Sequence, residues 1–194
     1  MRYISTRGQA PPVSFLDGVL AGLAPAGGRC VPARWRQLFE HPASLAIAAQ
    51  RPFSNTSLNV LSELSGEMLD APSTYDSPHW PKAVTPLLQT GPAEWVLELF
   101  HGPSLSFKDI ALQLMAPLME TALAHENRRI TLLCATSGDT GGAAVEAFRQ
   151  CERADLFVLL PKGRVSDVQR RFMTASGGNN IFPIEVDGDF DACQ

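Results

Sequence analysis

The chain has 194 residues, room for one ordinary domain or for a small domain beside part of a larger one. Its 45% hydrophobic and 19% charged residues exclude a disordered chain, and 16 basic against 20 acidic residues give a net charge of −4 without the basic footprint of a nucleic-acid binder. No apolar stretch approaches the ~20 residues of a membrane span, and the opening MRYISTRG lacks the apolar centre of a signal peptide.

The first third reads as helical. Val13, Leu16, Leu20 and Leu23 share one face of a helix over 13–23, which Ala24-Pro25-Ala26-Gly27-Gly28 breaks. A short extended piece, Cys30–Pro32, follows. A second helix is expected over 54–69, with Ser54 as N-cap and Leu58, Leu61, Leu64 and Met68 along its face. Between 70 and 94 five prolines (Pro72, Pro78, Pro81, Pro86 and Pro92) rule out a continuous helix or a central strand. The expected organisation is a mostly helical N-terminal domain over 1–80, a Pro-rich connection over 81–94 and an α/β domain over 95–194.

From residue 95 strands and helices alternate. Trp95–Phe100, Ile130–Ala135, Leu156–Leu160 and Ile181–Val186 have strand length. Helices are predicted over 108–125, 139–151 and 165–175, with Pro117 expected to kink the first. Pro183 marks the last strand as an edge strand. Such alternation predicts βαβ units and a parallel sheet. About four strands are few for a sheet that must be covered on both faces, so the chain reads as a fragment of a longer protein.

Three loops carry chemistry-bearing residues, each between a predicted strand and the next helix, where open α/β sheets bind ligands. The first is HGPSLSFKD, residues 101–109. Lys108 falls in the first helical turn, where the helix dipole disfavours its charged form and favours the free amine of a nucleophile or base. Ser106 and Asp109 have the spacing of a capping box, so the same segment also reads as an ordinary helix start. The second loop runs Thr136-Ser137-Gly138-Asp139-Thr140-Gly141-Gly142. Its glycines allow close backbone approach, and its amides and hydroxyls suit a carboxylate or phosphate. It matches neither a Walker A loop nor the G-x-G-x-x-G dinucleotide pattern, and it reads equally as a tight turn capped by Asp139. The third, Pro161 to Arg171, offers Lys162 and Arg164 as receivers of a phosphate, or a solvated helix face. Lysine is scarce, at Lys82, Lys108 and Lys162 only, so amine chemistry has few candidates. Cys30, Cys134, Cys151 and Cys193 form no C-x-x-C, and no His/Cys cluster has zinc spacing. A reduced, cytoplasmic protein without a metal is expected. His41, His79 and His125 read as surface residues, and His101 as lining the site or closing the strand.

MRYISTRG with the helix after it, HGPSLSFKD, TSGDTGGAAVEAF and LLPKGRVSDVQRRFMT together resemble the N-terminal part of the threonine synthase family. These are pyridoxal-phosphate (PLP) enzymes of fold type II, the tryptophan-synthase-β type. The resemblance implies that Lys108 is the Schiff-base lysine and moves the α- and β-protons of the substrate. It implies that Thr136, Ser137, Gly138 and Thr140 bind the substrate carboxylate and that Asp139 lies near the cofactor ring hydroxyl. The implied reaction converts O-phospho-L-homoserine and water to L-threonine and phosphate. The sequence departs from the family at Gly28-Arg29-Cys30-Val31-Pro32, where Gly-Gly-Leu-Tyr-Val-Pro is usual, at Ser104, where threonine is common, and over 54–72, which match poorly. In this fold type the loop for the PLP phosphate and the partner of the pyridine nitrogen come later in the chain. Neither is found here, so the fragment alone is not expected to be active. Competing readings are a fold type II dehydratase or β-replacement synthase, a non-catalytic synthase-like protein that binds a phosphorylated small molecule, and a plain nucleotide-binding βαβ domain. The N-terminal helical domain and Asp139, where the relatives more often carry asparagine, favour threonine synthase among them.

Overall fold

The computed structural model describes residues 1–35, 37, 38, 41–65, 74–175 and 177–194. These fall into two compact units, Met1–Asp76 and Ser77–Gln194.

In the first unit, β1 (Tyr3–Ser5) and β2 (Cys30–Pro32) pair antiparallel, with Tyr3 opposite Pro32. Helix α1 (Phe15–Ala21) begins at a reciprocal cap: Ser14 Oγ accepts from the Asp17 amide at 3.1 Å, and the Asp17 carboxylate accepts from the Ser14 amide at 3.2 Å. Gly22, at φ 65°, ends it. Helix α2 (Pro42–Ala49) has no counterpart among the predicted elements; Pro42 lies in its first turn, where the missing N–H costs nothing. Helix α3 (Phe53–Ser65) begins one residue before Ser54. Ser54 is therefore not the N-cap but a buried first-turn residue whose hydroxyl has no partner among the described residues. The rest of the predicted helix, with Met68, and also Pro72, lie outside the described residues. The Tyr3 hydroxyl donates to the Leu64 carbonyl at 2.7 Å, tying the strand pair to α3.

The second unit departs from the sequence reading at its start. Trp95–Phe100 is not a strand of the parallel sheet. Residues Glu94–Leu97 form β4, paired antiparallel with β3 (Leu87–Gly91) as a separate two-stranded ribbon. β3 lies inside the Pro-rich stretch, filling the five residues between Pro86 and Pro92. An exposed ribbon and a buried strand look alike as short apolar runs, and β4 is exposed along its whole length.

The regular alternation follows: α4 (Asp109–His125), β5 (Ile130–Ala135), α5 (Asp139–Phe148), β6 (Ala154–Pro161), α6 (Asp167–Thr174), β7 (Ile181–Val186) and α7 (Phe190–Cys193). The sheet is three-stranded and parallel, in the order β5-β6-β7. Pro183 sits on edge strand β7 opposite Val158. One face of the sheet packs against helices. Leu156, Val158 and Leu160 of β6 lie there at 2% exposure or less, with Ala143, Val145 and Phe148 of α5 and Met173 of α6 also buried. The other face, with Leu133 (71% exposed), Phe182 and Ile184, is open.

The direction of α4 follows from its packing against α5 and from its end at His125, with four residues between it and β5. Glu120 accepts from the Arg153 amide at 3.1 Å and from Arg153 Nη1 at 2.8 Å. Arg153 directly precedes β6, so this part of α4 lies at the starting edge of the strands. Its N-terminus, with residues 101–109, therefore points to the finishing edge, the edge from which residues 136–140 and 161–167 emerge.

Candidate active site

Residues 101–109 are organised by a buried carboxylate. Asp109 has no exposed surface; its Oδ2 accepts from the Ser104 amide at 2.8 Å and its Oδ1 from the Ser104 hydroxyl at 2.7 Å. The predicted Ser106–Asp109 capping box does not form: Lys108 is the N-cap of α4, and the Asp109 carboxylate is bonded by Ser104, five residues back, with the amides of Leu105 and Ser106 also turned toward it. Ser106 Oγ accepts a long bond from the Lys108 amide, 3.3 Å. Gly102 makes room for this: a Cβ there would lie 2.5 Å from Asp109 Cβ and 2.7 Å from the Trp80 ring. Leu105, at φ 62°, completes the turn. Burial pushes the Asp109 carboxyl above its ordinary value, and the bonds from Ser104 pull against that shift.

Lys108 is the last residue before α4, already in helical conformation. Its Nζ stands 4.3 Å from the centroid of the Phe107 ring and has no acceptor among the described residues. His101 Nε2 is 2.6 Å from Glu98 Oε2 and its ring packs against Phe100, which engages it within its own segment.

Residues 136–140 are tied by a neutral group. Thr136 is 1% exposed, and its Oγ1 accepts from the amides of Gly138 (2.9 Å) and Gly141 (2.8 Å). The amides of Ser137, Asp139 and Thr140 have no acceptor among the described residues. With the start of α5 they form a cluster of free donors of the kind that holds an anion. Gly138, at φ 144°, is the N-cap of α5, and Asp139 is the first residue inside the helix, not its cap. The sequence reading gave all three glycines to ligand approach. Two of them serve internal packing: a Cβ on Gly141 would meet Met173 Sδ and Thr136 Cγ2, and one on Gly142 would lie 3.2 Å from Phe172 Cβ.

The third segment joins the second directly. Helix α6 begins with a capping box between Ser166 and Gln169. The same Gln169 donates from Nε2 to Asp139 Oδ1 at 2.7 Å. The S-x-x-Q spacing of Ser166 and Gln169 announces the cap in the sequence, but nothing there announces the bond to Asp139. The cations of this segment are partly engaged: Lys162 Nζ lies 3.4 Å from Asp187 and Arg170 Nε lies 2.8 Å from Glu185. Arg164 is exposed and has no ion pair among the described residues.

Residues 2–73 match the family described as the threonine synthase N terminus, a span that includes the poorly matching 54–72. Over its full length the chain is 46% identical to a threonine synthase of Pseudomonas aeruginosa and covers 42% of that protein. Over 98% of its length it is 32% identical to a mouse protein named threonine synthase-like 2, of which it covers 41%. Its fold superposes on a crystal structure of PLP-bound threonine synthase from Brucella melitensis with a TM-score of 0.91 at 43% identity, covering all of this chain and 43% of that one. The yeast threonine synthase structure gives 0.83 at 33% identity, with 42% of that chain covered. The chain thus spans about two-fifths of the length of the proteins it matches. In sequence and in fold the chain is similar along its whole length to the N-terminal portion of threonine synthases, whose α/β fold, type II, it shares, and its residues 2–73 carry that family's N-terminal pattern.

Proposed function

We propose that the protein carrying this chain converts O-phospho-L-homoserine and water to L-threonine and phosphate with PLP, and that residues 95–194 carry part of its site. The observation that supports this most is a juxtaposition. Lys108, whose amine has no acceptor among the described residues, directly precedes α4, residues 136–140 open α5 with three amides that have none either, and the course of α4 directs both segments to the same sheet edge.

The donor set suits PLP on its own chemistry. Lys108 supplies a primary amine for the cofactor aldehyde. Asp139 keeps one carboxylate oxygen beyond the one bonded to Gln169, an acceptor for the ring hydroxyl. When bound, PLP supplies an electron sink for negative charge developing at substrate carbons. Lys108 would hold the cofactor, take protons from Cα and Cβ, and return protons to Cγ, which becomes the methyl group, and to Cα. The free amides of Ser137, Asp139 and Thr140, with the Ser137 and Thr140 hydroxyls, bind and orient the substrate carboxylate. Gly138 allows the loop its left-handed turn. Thr136 contributes by holding the amides of Gly138 and Gly141, which keeps the other three free. Phosphate leaves from Cγ and water adds at Cβ; Arg164, and Lys162 when released from Asp187, are the cations of this chain for the leaving phosphate.

A reduced, cytoplasmic setting agrees with four free cysteines, and among the described residues no helix is long and apolar enough to cross a membrane. The test is phosphate release from O-phospho-L-homoserine by the full-length protein with PLP. Threonine must accumulate in equal amount, and Lys108→Ala must abolish both. A Lys108→Ala protein with normal turnover would overturn the reading, as would release of phosphate without threonine.

A further inference from the structure

Gln169 stands in the segment that the proposed chemistry uses least, yet its side chain is engaged at both ends. Its Oε1 accepts from the Ser166 amide at 3.1 Å and from the Ser166 hydroxyl at 3.0 Å, closing the cap of α6. Its Nε2 donates to Asp139 Oδ1 at 2.7 Å. The amide group lies directly over Gly138, where an added Cβ would come within 2.5 Å of Nε2 and 2.6 Å of Oε1. Gly138 therefore has two reasons to be glycine, its φ of 144° and this contact.

A primary amide is suited to this double task. A capping box asks of its third helical residue only an acceptor, which Glu and Gln supply equally. The bond to Asp139 asks for a donor, which Gln has and ionised Glu lacks. A glutamate would keep the cap and set two carboxylates against each other.

We infer that Gln169 is a positioning residue of the site: it orients the Asp139 carboxylate toward the cofactor and couples the start of α6 to the loop 136–140. This rests on the proposed PLP chemistry and adds to it a residue that reaches the cofactor only through another. It also gives the third segment a part in the site that does not depend on its cations.

Four variants of the full-length protein separate positioning from capping. Gln169→Glu keeps the cap and breaks the bridge. Ser166→Ala breaks the cap and keeps the bridge. Gln169→Glu combined with Asp139→Asn restores a hydrogen bond with donor and acceptor exchanged, and Asp139→Asn alone is its control. PLP affinity is read by fluorescence titration, thermal midpoint by calorimetry, and kcat and KM by phosphate release. Gln169→Glu is expected to weaken PLP at least tenfold and to lower kcat while leaving the thermal midpoint within about two degrees of wild type. Ser166→Ala is expected to lower the midpoint and leave PLP affinity within about twofold. The double variant is expected to recover most of the affinity that Gln169→Glu alone loses. Normal PLP affinity in Gln169→Glu, or equal loss in Ser166→Ala, would overturn the inference. A wild-type protein that takes up no PLP would overturn the cofactor reading first and this inference with it.

Discussion

Two loops meet the finishing edge of the sheet, and each is tied by one buried polar side chain of opposite character. Residues 136–140 are held by a neutral hydroxyl, Thr136, which accepts from two amides. Residues 101–109 are held by a carboxylate, Asp109, which accepts from the amide and hydroxyl of Ser104. Both ties lie out of solvent. A hydroxyl needs only satisfied hydrogen bonds to be buried at any pH. A carboxylate also loses its hydration, and the bonds from Ser104 do not fully offset that, so burial leaves its carboxyl raised. Each bond to a charged acceptor is nevertheless stronger than one to a neutral hydroxyl, so removing the carboxylate should cost more, and it is the tie that responds to pH.

Removing each tie measures the difference. Asp109→Ala leaves the buried Ser104 amide and hydroxyl without their acceptor and is expected to cost about 3 kcal/mol in urea unfolding, at the charged-partner end of the usual range. Thr136→Val leaves two amides unpaired at nearly unchanged volume and is expected to cost about 2 kcal/mol. Equal losses, or a larger loss at Thr136, would contradict the ranking.

The pH response sharpens the same contrast. Because the folded carboxyl of Asp109 lies above its ordinary 3.8, the folded state keeps this proton to higher pH than the unfolded chain does. Its contribution to stability is fully present below that ordinary value and is lost as pH rises through the raised one. Asp109→Asn has no such proton, so wild-type stability relative to this variant should fall as pH climbs from 3.8. Thr136→Val should show no such trend against wild type. A pH-independent difference for Asp109→Asn would mean that the carboxylate is not burdened by its burial.

The smallest effect lies away from the loops. Cys151 is a second acid held back by burial, and Glu120 adds to it, so its thiol is pushed up to about 11. Iodoacetamide at pH 8 is expected to leave Cys151 unmodified in the native protein and to label it after unfolding. Native labelling at the rate of the unfolded chain would contradict that assignment.

The legibility of this chain followed burial and local periodicity. β5 and β7 stand at their predicted residues, and α4 begins one residue later than expected, because apolar runs and helical spacing carry those elements. The β3–β4 ribbon was hidden by the prolines around it and by an apolar β4 that reads as a sheet strand although it is exposed. At the site, Lys108 and the glycine-rich turn stand out by residue type. The bonds that shape them do not: Asp109 reaches past the expected Ser106 to both the amide and the hydroxyl of Ser104, and Gln169 crosses thirty residues to Asp139. Such pairings depend on which turns the backbone adopts at Leu105 and Gly138, both in positive φ, and spacing alone does not encode that.

The central claim is that Lys108 is the amine that holds the cofactor. The direct test is to reduce the full-length protein with borohydride in the presence of PLP, digest it and map the pyridoxyl group by mass spectrometry. Within this chain only Lys82 and Lys162 compete. The account predicts stoichiometric label on Lys108 at low PLP, with Lys82 and Lys162 unmodified. Label on another lysine while Lys108 stays free would contradict it.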